Sequence, residues 1–319
     1  MSAMSTAIWI RALAFGAAAV VLLSVTPAFA QIPVDDPRLK TNQFDIQYVE
    51  PKNPAHIPIY EMKKKSRILE GLQEFLSPFR LPKRITIKIE GCDGVINSYF
   101  EVDTIKICYE YLDYMQKHTP KSVRQGLTPH DALIGPTLDV FLHEWGHGIV
   151  RVLDIPFFAK EEDVADALAT YILLSFAKDD ARRLILGASF FGDEEVKEEH
   201  GKSPELSAIA DSHSLPAQRY YNRWCLAYGY DKELFADAIE IGMLPPNRVR
   251  WCRWEWDTNA DAFVRLIKPY IDQDLMKKVM AKRWFEFESP VAATMAKPKP
   301  KDAQAEPGKP APAARQVLE

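Results

Sequence analysis

The sequence is poor in glycine, with 14 residues in 319. It carries no dominant charge, with 40 Lys and Arg against 44 Asp and Glu, and it has only 4 cysteines. Scarce glycine excludes a collagen-like repeat, and 47% apolar residues exclude a wholly disordered chain. The near balance of charge argues against a strongly basic nucleic-acid-binding protein. No internal repeat is present, which excludes a solenoid. None of the cysteines makes a Cys-x-x-Cys pair, so a thiolate metal site is not expected. Beyond residue 30 there is no hydrophobic run long enough to span a bilayer.

The two ends differ from the middle. Residues 1–30 hold no acidic side chain, a single basic one (Arg11), an apolar run from Ala12 to Val25, and Ala28-Phe29-Ala30 just before Gln31. That pattern predicts a secretory signal peptide cleaved after Ala30. The run is short for a membrane span and is interrupted by Gly16 and Ser24. No cysteine follows the expected cleavage point and Arg11 stands alone, so neither a lipid anchor nor twin-arginine export is expected. From Pro290 to Glu319 there are six prolines, eight alanines and no aromatic residue, a composition that buries too little apolar surface to offset chain entropy. The expected organisation is a signal over 1–30, one folded domain over 31–288 and a Pro/Ala/Lys tail over 289–319. The product is expected in the periplasm or secreted, without a stable membrane anchor. Without the ends, the core holds 34 basic and 41 acidic residues, a net charge of -7 that weakens a nucleic-acid role further.

Cys92, Cys108, Cys225 and Cys252 all lie in the core. An even number in an exported chain reads as two disulfides; three pairings are possible, and loop closure favours Cys92–Cys108 and Cys225–Cys252.

Alternation predicts strands at 44–49, 84–90, 95–102 and 104–108, and periodicity of three and four predicts a helix between Ile59 and Phe79. A short helix is expected over 109–117 and a loop over 120–129. Two strongly patterned helices follow, over 137–152 and 160–176, broken at Asp154-Ile155-Pro156. Further helical pieces are expected at 182–186, 217–228, 232–241, 259–271 and 275–285. Strands first and helices afterwards give an α+β fold with helices on one face of a small sheet. Trp251 and Trp254 at helical spacing read as a packed core edge. The acidic run 194–199 reads as a solvated loop, and His56, His118, His130 and His200 as solvated.

His143-Glu144-Trp145-Gly146-His147 is a His-Glu-x-x-His motif in an apolar helical stretch. Residues four apart stand one above the other on a helix, so both imidazoles can reach one zinc ion, while Glu144 is turned to the open coordination position as a general base. A catalytic zinc takes three protein ligands. Gly and His three and six residues after His147 would complete one known pattern, but Val150 and Leu153 stand there. The next helix instead offers Glu162-x-x-x-Asp166, two carboxylates one turn apart. Glu162 is the expected third ligand, with Glu161 as the alternative, and Asp166 is placed to accept the second N–H of His143.

These residues resemble the zinc site of the gluzincins, the thermolysin-like metallopeptidases, which implies a zincin-like fold. Asn97-Ser98-Tyr99-Phe100, Ile107-Cys108-Tyr109-Glu110, the motif helix and Asp211-Ser212-His213 with Arg219, Tyr221, Asn222 and Cys225 are more closely similar to a bacterial family of proposed metallopeptidases with undefined substrates, over roughly residues 83–252. The resemblance implies an edge strand at Asn97–Phe100 beside the cleft, able to hold an extended peptide. It implies that His213 is the donor to a developing oxyanion, oriented by Asp211 or Arg219, and that Asn97 and Arg219 face substrate. The expected function is an exported zinc peptidase holding one zinc per chain and acting on peptides or proteins. Two other functions remain open: a zinc-stabilised binding protein without catalysis, in which His213 closes the fourth position, and an amidase acting on cell-wall peptides.

Overall fold

The computed structural model describes residues 31–120, 127–193 and 202–285. The expected signal, the acidic run 194–199, His200 and the tail lie outside the described residues. Four strands, β1 (Phe44–Tyr48), β2 (Ile85–Glu90), β3 (Ser98–Glu101) and β4 (Thr104–Cys108), form one sheet in the order β1-β2-β4-β3. β1, β2 and β4 run parallel, with Ile46 opposite Ile87 and Ile87 opposite Ile105. β3 is antiparallel to β4 and stands at the edge. The alternation in β2 sorts its side chains by face: Ile85, Ile87 and Ile89 are buried and Thr86, Lys88 and Glu90 half-buried. On that second face Glu90 is ion-paired with Lys88 at 2.9 Å and Lys106 at 3.3 Å.

The helices are α1 (Ile57–Lys65), α2 (Ile68–Leu76), α3 (Tyr109–His118), α4 (Pro129–Val152), α5 (Glu161–Leu174), α6 (Lys178–Ala188), α7 (Leu206–Ala210), α8 (Pro216–Tyr230), α9 (Val249–Leu266) and α10 (Gln273–Met280). The fold is therefore α+β. The core lies between the isoleucine face of the sheet and α2 and α4. At its centre Trp145 packs edge-on against Phe44 and Phe79 at 5.3 and 5.2 Å. Outside α4 a second group of helices, α5, α6, α8 and α9, completes the domain. Cys92–Cys108 ties the loop before β3 to the end of β4, and Cys225–Cys252 joins α8 to α9. No described helix is long and apolar enough to cross a membrane.

Several expected boundaries shift. The helix expected between 59 and 79 is two helices, because Arg67 adopts φ 54°, a left-handed conformation that ends α1 and redirects the chain into α2. α4 begins at Pro129, eight residues earlier than expected, where Thr128 and Asp131 form a reciprocal capping box. Pro136 lies inside it, forgoing one backbone hydrogen bond. The helix expected over 232–241 reduces to a single 3-10 turn, Ala236–Ala238. α9 starts ten residues earlier than the helix expected at 259 and takes in the tryptophan cluster. Trp251 and Trp254 are then 51% and 65% exposed and are not a core edge; it is Trp256 that packs, on Tyr171 and Tyr230. His56 is also not solvated, being buried beside the Tyr109 ring.

Candidate metal centre

The His-Glu-x-x-His residues lie in the buried second half of α4, with Trp145 turned into the core so that His143, Glu144 and His147 face the opposite way. Two glycines let neighbouring elements come close. A Cβ on Gly146 would lie 2.8 Å from the Cα of Ala165, so α4 and α5 meet nearly backbone to backbone; one on Gly148 would lie 3.0 Å from the Phe100 ring of β3. The first contact sets Glu162 and Asp166 of α5 opposite the two histidines.

His143 Nε2 and His147 Nε2 are 3.2 Å apart, and Glu162 Oε2 lies 3.1 Å from the first and 3.3 Å from the second. These three atoms make a nearly equilateral triangle. Zinc bonds of 2.0–2.1 Å in tetrahedral geometry place neighbouring ligands about 3.3 Å apart, so the triangle matches three corners of such a site. The opposite ring nitrogens are engaged by carboxylates, which can only accept. His143 Nδ1 donates to Asp166 at 2.8 Å and His147 Nδ1 to Glu161 at 2.7 Å. Both Nε2 lone pairs therefore converge on the Glu162 carboxylate, an arrangement that is unfavourable unless a cation or protons lie among them. Burial pulls the His143 imidazole down, but the carboxylates of Asp166 and Glu162 outweigh it and push it up to about 9. Burial likewise works against the Glu162 anion, yet His143 and His147 hold its carboxyl well below the usual range. The donor set, two imidazole nitrogens and a carboxylate oxygen with carboxylates behind both rings, fits a divalent metal ion.

Glu161 is thus not in the triangle. It accepts from His147 and from Arg151 Nε, the latter also at 2.7 Å. Asp166 is gripped from behind by Arg219, whose Nε and Nη2 each donate to it at 2.7 Å. Burial opposes ionisation of Asp166, but Arg219 and His143 hold it far below the ordinary carboxylate range.

Glu144 is 6% exposed, and burial raises its carboxyl above the usual range against the pull of His143 and His147. His213 also reaches the centre. Its Nε2 is 3.0 Å from Glu162 Oε2 and its Nδ1 is 3.0 Å from Asp211. His143, Glu162 and His213 offer ligand atoms all within 4.8 Å of one another. The loop carrying His213 is docked on the start of α5: Lys160 donates to the carbonyls of Asp211 and His213, and Ser214 to Asp163 at 2.7 Å. Of the two partners expected for His213, Asp211 is present and Arg219 is on Asp166 instead.

A cleft of about 1030 Å³ opens in front of these groups. Asn97 and the residues of β3 form one side, and Arg219 and Asp139 line it as well. Asp139 and Arg223, which the sequence reading passed over, form an ion pair of 2.6 Å in this wall, with Asp139 Oδ1 and Arg223 Nε left without partners. Burial raises the Asp139 carboxyl. The signal was present, since Asp139 stands one turn before His143 on the same helix face.

A family model described as Putative metallopeptidase matches residues 48–267, from the end of β1 to just beyond α9. Neither a curated protein nor a solved structure matches the chain.

Proposed function

The chain belongs to this Putative metallopeptidase family, and from that membership we propose that it is an exported zinc-dependent peptidase of gluzincin type. The observation that carries the reading is the triangle of His143 Nε2, His147 Nε2 and Glu162 Oε2, with both histidines backed by carboxylates. A zinc ion held there supplies Lewis acidity, which brings the pKa of water to about 7. The residues around it do the rest. Glu144, beside the ligands and raised by burial, takes the proton from the attacking water and returns it to the leaving amine. His213, oriented by Asp211, donates to the oxyanion that develops on the scissile carbonyl. β3, the open edge of the sheet, holds the substrate backbone by strand addition, with Asn97 at its start. The two disulfides support export, since such bonds persist outside the reducing cytosol.

A second reading, zinc as a structural element of a binding protein, rests on the short approach of His213 to Glu162, which makes His213 a candidate fourth ligand. The two readings separate in one experiment. Purified protein loaded with one equivalent of zinc is assayed on mixed peptide and peptidoglycan libraries, with and without chelator, beside Glu144→Gln. The peptidase reading expects chelator-sensitive hydrolysis, lost in the variant although its metal is retained. Hydrolysis that survives Glu144→Gln sinks the mechanism, and no hydrolysis at full metal occupancy favours the structural role.

A further inference from the structure

On the far side of α4 from the cleft lies a second cavity of about 450 Å³, a size typical of small-molecule sites. Leu138 of α4 faces it, whereas the next two residues, Asp139 and Val140, face the cleft. Its walls come from α2, the ends of β2 and β4, the first half of α4, and Phe176 and Trp284, and they are mainly aliphatic and aromatic. No Asp or Glu lines it among the described residues, while Lys63, Arg67 and His130 do.

Lys63 is the unusual member. It is 8% exposed, yet among the described residues its ammonium has neither a hydrogen bond nor a carboxylate within 4.0 Å. A buried charge is ordinarily paired, because desolvating it alone is costly. Burial accordingly lowers the pKa of this ammonium below the ordinary lysine value. The chain keeps a cation where a methionine would pack more favourably, beside an apolar chamber that offers it no anion.

We propose that this cavity binds a single-chain amphiphile with an anionic head, the head on Lys63 near Arg67 and the hydrocarbon chain between α2 and α4. Both halves of the ligand follow from the lining: the mainly apolar walls favour a hydrocarbon chain over a wholly hydrophilic anion, and an ammonium without a partner among the described residues disfavours a neutral or cationic head. Carboxylate and phosphate heads share this chemistry, and the test separates them.

The purified chain is titrated calorimetrically, below the critical micelle concentration, with dodecanoate, dodecyl phosphate, dodecanol and dodecyltrimethylammonium. One molecule of an anionic ligand is expected to bind per chain, at least tenfold more tightly than dodecanol, with no binding of the ammonium compound. The tighter of the two anions identifies the head group. Lys63→Met is expected to weaken the anions at least tenfold and leave dodecanol unchanged. Ile134→Trp, which fills the chamber from α4, is expected to abolish binding of both anions and of dodecanol, with folding of both variants checked by circular dichroism. Equal affinity for dodecanol and the anions, unchanged binding in Lys63→Met, or undiminished binding in Ile134→Trp would each overturn the proposal. Chelator treatment is expected to leave the titrations unaltered, which keeps this result separate from the peptidase reading.

Discussion

The Nδ1 of His143 lies 2.8 Å from the carboxylate of Asp166, a contact spanning 23 residues of sequence and joining two helices. Because the carboxylate can only accept, Nδ1 keeps its proton and Nε2 is the nitrogen that faces Glu162, available to a metal ion once its own proton is displaced. Asp166 is fixed in turn by the two donors of Arg219. Ring orientation is thereby decided by residues that never touch the centre.

Asp166→Asn keeps the shape and removes the charge. Loss of a carboxylate behind a liganding histidine typically costs about 10–100-fold in metal affinity. A chelator competition on the variant is expected to show a loss of that order, and wild-type affinity would mean that Asp166 serves only the packing of α5.

Neighbouring glutamates should differ sharply. Glu162 Oε2 is at 3.1 and 3.3 Å from the two Nε2 atoms, whereas Glu161 lies behind His147. Glu162→Ala is expected to abolish stoichiometric zinc binding, and Glu161→Ala to weaken it by no more than about 100-fold. Metal analysis after dialysis distinguishes them, and the reverse order would move the third ligand to Glu161.

At Gly229 two effects oppose each other. Alanine favours a helix over glycine by about 1 kcal/mol, but a Cβ there would lie 2.1 Å from the backbone oxygen of Cys252. The closest contacts are the Cys252 backbone carbonyl, with the Trp256 Cβ at 2.8 Å, and the Cys225–Cys252 bond holds the two helices together, so relief requires a shift of α8 against α9. Overpacking costs about 1–3 kcal/mol and is expected to win. A melt of Gly229→Ala should show a drop of a few degrees, at about 2–4 °C per kcal/mol, and a rise would refute the steric reading.

Lys63→Met should raise the melting temperature, with a pH signature. Burial lowers the pKa of Lys63 below its unfolded value of 10.5. Between the two values the unfolded chain binds more protons, so wild-type stability climbs with pH across that interval. The advantage of the methionine variant is therefore greatest below the folded pKa and shrinks as pH rises toward 10.5. An advantage independent of pH would place the ammonium in solvent.

Much of this was legible in the residues. Ile85, Ile87 and Ile89 alternate and are buried alternately, and the pairs Cys92–Cys108 and Cys225–Cys252 are the sequence-local ones. The spacing of His143, His147, Glu162 and Asp166 already implied one shared point, because helical periodicity converts spacing into direction. What was not legible depends on contacts distant in sequence. His213 was expected at the centre through the family resemblance, but the contacts of Lys160 and Ser214 that seat its loop on α5 were not. The break at Arg67 requires a left-handed residue that is neither glycine nor asparagine, and no local signal marks it. Trp251 and Trp254 mislead because α9 leaves part of its surface to water, and a tryptophan's identity does not say which side of its helix is covered.

The near-contact of Gly146 with Ala165 acts as a ruler between the two helices that carry the candidate ligands, and its length is set by main chain. Side chains at 143, 147 and 162 can be exchanged without altering that ruler, so a donor swap such as Glu162→His or Glu162→Cys retunes metal preference on an unchanged frame. Enlarging residue 146 or 165 does the converse, keeping every donor while lengthening the gauge. For anyone wishing to reprogram this centre, the least reactive pair in it is the one to leave alone.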